Sequence, residues 1–175
     1  WLRKPKPQEL TIIYQAKKGI TLLPILIGKD QPKTYLVLLQ NSAELRPTGG
    51  FIGSYALITF SEGKLADFEV KNVYEADGQL KGHVEPPPAL KKNLDIANWY
   101  LRDVNWSPDF PTTAQKAIWF LEKETGQSAD GVVGIDLFVA RQLVSAFDEI
   151  KLADYQEVIT GKNLFEKAES YSENN

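Results

Sequence analysis

Apolar positions along the chain change period several times, and each change predicts an element. From Gln8 to Ile27, residues Leu10, Ile13, Tyr14, Ile20 and Leu23 recur close to helical spacing, with the stem of Lys17 on the same side. This predicts a helix over about residues 9–23, ended by Pro24 and Gly28. Residues 34–40 are a short, continuous apolar run after Pro32, the pattern of a strand buried on both faces. A polar loop, 41–50, follows. Residues 51–60 and 64–73 then flank Ser61-Glu62-Gly63, a hairpin signature with glycine at the turn. In the second arm Leu65, Phe68, Val70 and Val73 fall out of strict alternation, which predicts a bulge.

Residues 74–88 hold Gly78, Gly82 and three consecutive prolines and are expected to be irregular. Residues 89–99 fit a short helix or a turn. Past a proline-interrupted stretch, Thr112 or Thr113 is expected to cap a helix reaching about Thr125. Its apolar face is Ala114, Ala117, Ile118 and Leu121, and Gly126 is its stop. A short strand over 130–135 and an amphipathic helix over 136–147, capped by Asp136, come next. Residues 150–159 are strand-like, and Thr160 is placed to cap a last helix over 162–170. The ends, a basic, proline-rich tail at 1–7 and a frayed 172–175, lie outside the predicted core. This order predicts one α/β domain over 8–171, a mixed β-sheet with a hairpin and helices on both faces.

Composition narrows the function classes. The chain's 175 residues suffice for one domain with a core. Its net charge of -3, with both signs scattered, excludes the broad basic face that nonspecific binding needs, so no nucleic acid is expected as a partner. Cysteine is absent, which removes disulfides, thiolate nucleophiles and sulfur-ligated metals and suits an extracytoplasmic location. His83 is the only histidine, so a multi-histidine metal site is excluded. No apolar run is long enough to span a bilayer. The chain starts at Trp1 and contains no methionine, so it is expected to be a piece of a longer protein, with any anchor upstream.

Two segments concentrate chemistry. In the loop from Glu44 to Gly50, Pro47 fixes the backbone after Arg46, and Gly49-Gly50 allows close approach to a ligand. Arg46 offers a planar fork suited to phosphate or carboxylate, and successive amides could form an anion nest. On the residues alone, a turn whose Arg46 pairs with Glu44 or a nearby aspartate is the favoured reading. In residues 101–111, Pro108 and Pro111 interrupt regular structure. There Arg102 could bind an anion, Asp103 and Asp109 are hard oxygen ligands fit for magnesium, and Asn105 adds an amide. Equally, Arg102 could pair with Asp103 or Asp109 while Trp106 and Phe110 plug the core. Elsewhere Asp130-Gly131 reads as a turn, His83 as solvated and Arg141 as a surface ion-pair partner. Trp1, Trp99, Trp106 and Trp119 read as core plugs, although Trp99, Tyr100 and Trp106 could stack on a sugar.

Residues 35–54 (YLVLLQNSAELRPTGGFIGS), 102–111 (RDVNWSPDFP) and 130–136 (DGVVGID) resemble the signatures of a bacterial family of domains of unknown function. Its members look like single-pass, membrane-anchored proteins with the domain outside the cytoplasm. That family in turn resembles the LytR-CpsA-Psr phosphotransferases, α/β/α enzymes that move a glycopolymer from a polyprenyl-pyrophosphate carrier to the cell wall. The resemblance implies a phosphorylated or polyprenyl-linked glycan as ligand and peptidoglycan or another envelope polymer as partner. It also implies contact with the membrane through an N-terminal anchor absent from this chain. It implies catalytic roles for Arg46, Arg102 and Asp103, and ligand contacts from Glu44, Thr48, Gly49, Gly50, Asn105 and Trp106. Magnesium would sit on Asp103 and Asp109. The chain departs from those enzymes in having only Arg46, Arg102 and Arg141 between residues 8 and 171, without their late arginine-rich motif. A noncatalytic envelope module of the same fold is the alternative.

Overall fold

A computed structural model describes residues 6–147, 149–153 and 156–167. The start of the basic tail, the C-terminus expected to fray and the end of the last expected helix lie outside the described residues. The first element, α1 (Pro7–Leu26), starts with Pro7 in its first turn, where a missing N–H is tolerated, and Glu9 accepts from Lys6 N at 2.7 Å. Pro24 does not end it, contrary to expectation. It stands so near the C-terminus that only one ladder bond is lost, and the chain turns at Gly28, in left-handed backbone at φ 65°.

The sheet has the order β3-β2-β1-β4. It comprises β1 (Lys33–Asn41), β2 (Phe51–Ser61), β3 (Lys64–Asn72) and β4 (Gly131–Asp136). β1 pairs antiparallel with β2 and parallel with β4, and so is central, as its apolar run requires. The β2–β3 register slips between Thr59 and Phe60, which places the bulge in the second arm. A second slip, at Leu39/Gln40, leaves Gly53 unpaired near the end of β1.

Alternation sends Leu36, Leu38, Tyr55 and Leu57 to one face. There they meet Ala117, Phe120 and Leu121 of α4 (Phe110–Thr125), Leu101 and Val104 of a 3-10 helix (Leu101–Trp106), and Val73 and Ala76 of α2 (Val73–Asp77). Phe120 is fully buried, with Trp99 and Trp119 edge-on at 5.3 and 4.8 Å. α5 (Leu137–Ser145) lies at the other face, near Leu39 and Ile135, so helices flank the mixed sheet on both sides.

Several local expectations are corrected. The stretch after Tyr74 is not wholly irregular, because Asn72 accepts from Tyr74 N at 2.9 Å and starts α2. α3 (Pro88–Leu94) occupies the segment left as helix or turn. The cap of α4 is Asp109, not Thr112 or Thr113, because Phe110 and Pro111 fit inside the first helical turn. The strand-like 150–159 is a small hairpin, β5 (Ile150–Leu152) with β6 (Glu157–Ile159), broken by Gln156 at φ 52°. Asp136 and Thr160 do cap, accepting from Val139 N (2.7 Å) and Asn163 N (3.4 Å).

Candidate functional site

The loop after β1 and the 3-10 helix lock together across more than fifty residues of sequence. Asn41 accepts from Ala43 N at 3.0 Å and turns the chain, and Phe51 N returns to the Glu44 carbonyl at 3.0 Å. Gln40 donates its side-chain amide to the Thr48 carbonyl. Gly50, at φ 127°, lies so close to β1 that a Cβ would stand 2.1 Å from the Asn41 carbonyl oxygen. Asn105 is fully buried; its Nδ2 donates to the Gly50 carbonyl at 2.6 Å, its backbone carbonyl accepts from the Thr48 hydroxyl at 3.5 Å, and its Oδ1 has no protein partner. The Thr48 hydroxyl, the Gly50 carbonyl and the Asn105 Nδ2 and backbone carbonyl are thus engaged with one another, and Gly49 leaves room for the Gln40 amide. Trp106, half-buried, ends the 3-10 helix.

The same joint brings both arginines to one carboxylate. Asp103 lies 3.9 Å from Arg46 and 3.4 Å from Arg102, and Arg102 also holds Asp77 at 2.6 Å. The two aspartate side chains are only 4% exposed, against 16% for Arg46 and 24% for Arg102. Burial raises the carboxyls of Asp77 and Asp103 while the facing arginines pull them back down. Arg102 is also stacked between Tyr100 (4.4 Å) and Tyr74 (5.4 Å). Its two carboxylate partners and two rings fix it in place. Arg46 is less committed. It lies over Phe51 at 5.3 Å, donates to its neighbour's carbonyl, and its Nε has no protein partner.

Behind this network sits a group the sequence did not single out. Glu124 of α4 is buried, accepts from Leu101 N at 3.1 Å, and is pushed up to about 8 by burial, then by Asp77. It is therefore mainly protonated at neutral pH. Its Oε2 and Asp77 Oδ1 have no protein partner. An acid on an otherwise amphipathic helix resembles a surface residue, so only its position four residues after Phe120 hints at burial.

Asp109, the second expected magnesium ligand, is exposed and caps α4 with bonds from Thr112 N (2.9 Å) and the Thr112 hydroxyl. Those bonds hold its carboxyl below the usual range. Asp103 lies between two guanidinium groups, which repel a divalent cation. Among the described residues no three acids or histidines are grouped to hold a metal, and the two expected magnesium ligands are engaged in different roles, Asp103 between the arginines and Asp109 as a helix cap.

Beside the joint, a cleft of about 750 Å³ opens at the C-terminal ends of β1 and β4. Leu39, Ile135, Leu137 and Ala140 form its apolar side, and Asn41, Glu44, Ser54, Asn72 and Tyr74 its polar side. Phe51 and Tyr74 stand between the cleft and the arginines, each ring backed by one guanidinium. Of the expected ligand residues only Glu44 lines this cleft. The rest were hidden because Asn72 and Tyr74 come from β3 and α2, whose junction the glycines and prolines downstream obscured. The available signal was positional, since ligands of such sheets bind beyond the carboxyl ends of parallel strands.

The remaining sequence candidates have structural partners. Asp130 binds Lys33 (2.6 Å) and Thr34 N (2.9 Å), fastening β4 to β1. His83 pairs with Glu85 at 2.9 Å on the surface, and Arg141 lies over Phe138 and Phe165, with no ion pair among the described residues. Trp99 donates to the Asp103 carbonyl at 3.0 Å and packs on Phe120, as a core plug does.

No curated protein and no solved structure matches the chain. The family model described as a protein of unknown function (DUF4012) matches residues 30–171, most of the chain, and the chain belongs to that family.

Proposed function

We propose, starting from that family, that the chain is an extracytoplasmic domain of the cell envelope that binds a phosphorylated, polyprenyl-linked glycan. Arg46 would hold the phosphate, and the apolar side of the cleft would take the first isoprene units. The observation that carries this reading is the state of Arg46. It is a guanidinium with 16% of its side chain exposed, whose nearest carboxylate is 3.9 Å away, and which is mounted on a ring of an apolar cleft. Such a fork can accept a phosphate without breaking a tight existing pair. Arg102 is a positioning residue here, because it is already bound to Asp77 and Asp103. Membrane attachment through a segment upstream of Trp1 belongs to the same proposal.

The engaged carboxylates favour binding over LytR-CpsA-Psr-like transfer, since Asp103 is shared by two arginines and Asp109 is used as a cap. The test is vesicle binding of a polyprenyl phosphate, with and without magnesium, by the full ectodomain and by Arg46→Ala. The reading expects binding by the wild type and at least tenfold weaker binding by a variant that is still folded at the assay temperature. Absence of binding by the wild type would refute it, and release of the lipid phosphate on adding an envelope polymer would turn binding into transfer.

A further inference from the structure

The polar side of the cleft has a donor pattern that a lipid phosphate does not explain. Asn41 and Asn72 project from two different strand ends into it. Each has its Oδ1 tied down locally, by Ala43 N at 3.0 Å and by Tyr74 N at 2.9 Å. Those bonds fix the amide orientation and turn each Nδ2, a donor, away from the backbone. Asn41 Nδ2 reaches Glu44 only at 3.4 Å, so its donor capacity is largely open. Glu44 supplies an acceptor and Ser54 a hydroxyl that does both, while Tyr74 presents an exposed ring.

Among the described residues no lysine or arginine lines the cleft, whereas Glu44 and Asp136 do. An anion inside it would meet carboxylates without a counter-charge. A cation would meet two outward amide N–H₂ groups. A neutral ring bearing several hydroxyls fits both constraints, because each hydroxyl donates and accepts, and its C–H face can lie on Tyr74. We infer that the polar wall formed by Asn41, Glu44, Ser54, Asn72 and Tyr74 is a saccharide subsite for an uncharged sugar ring. It deepens the reading above, on which it rests only in assigning this sugar to the same ligand as the phosphate at Arg46.

The test uses substitutions that spare the turns. In Asn41→Asp/Asn72→Asp, the carboxylate oxygens still accept from Ala43 N and Tyr74 N, but both donors are gone. Trisaccharides of glucose, galactose, mannose and N-acetylglucosamine are titrated by ligand-observed NMR against the wild type, this double variant and Tyr74→Leu. The subsite predicts that at least one binds the wild type, and that each variant weakens it tenfold or more at an unchanged melting temperature. If no trisaccharide binds, or if the double variant binds equally well, the subsite is overturned. A polyprenyl phosphate titrated in parallel separates the claims. Lipid binding without sugar binding defeats the subsite alone, and sugar binding without lipid binding defeats the phosphate reading alone.

Discussion

Replacing Glu124 with glutamine removes the most perturbed acid of the core while keeping its shape. In the fold its carboxyl stands at about 8, against an ordinary 4.5. That gap corresponds to roughly 5 kcal/mol between the protonated and ionised forms, as an upper figure. The sign follows from linkage. Because the folded state holds the proton more tightly than the unfolded chain, its stability is fully present below about pH 4.5 and is lost as pH rises towards 8. Glutamine mimics the protonated acid and can still accept from Leu101 N. The variant should therefore match the wild type at pH 5 and exceed it by about 3–5 kcal/mol at pH 8.5. For a domain of this size, that is a gain of roughly 6–20 °C in melting temperature at the higher pH. Asp77 and Asp103, also raised by burial, tilt the wild-type profile the same way, so the informative quantity is the difference between the two proteins. Urea melts at pH 5, 7 and 8.5 measure it. A difference that stays constant across that range would refute the claim that Glu124 is protonated in the fold.

Two further changes probe the joint. Gly50→Ala places a Cβ 2.1 Å from the Asn41 carbonyl at φ 127°, and should lower stability in urea melts by about 3 kcal/mol or more, with expression lost as the extreme. Asp109→Ala should lower the melting temperature through the loss of an N-cap, while leaving the magnesium response of lipid-phosphate binding unaltered. A change in magnesium dependence would restore Asp109 as a metal ligand.

The central architecture was legible because its signals are local. A continuous apolar run marked β1, glycine marked the hairpin turn, and Gly126 marked the end of α4. The failures have physical causes too. Pro24 looked like a terminator, yet near a helix end it removes a single bond. Thr112 and Thr113 looked like caps because Pro111 precedes them, whereas proline belongs inside the first turn behind Asp109. At the site, pairing of Arg46 with a nearby aspartate and of Arg102 with Asp103 were both among the expected readings, but that the two arginines share the one carboxylate was not. Asp77 could not be foreseen, since it closes a helix of five residues inside a segment that reads as loop. Its partnership with Arg102 changes what mutation of that arginine reports. Removing Arg102 leaves two buried carboxylates short of a partner, a loss of about 3–5 kcal/mol, so an Arg102 variant measures stability before it measures binding.

Arg46 carries the functional claim, and one titration addresses it most directly. The affinity of a polyprenyl phosphate for the wild-type protein is compared with that for Arg46→Gln at one pH and salt concentration, with melts of both proteins run alongside. The account predicts at least a tenfold weaker Kd for a variant that is still folded at the assay temperature, and equal affinities would contradict it.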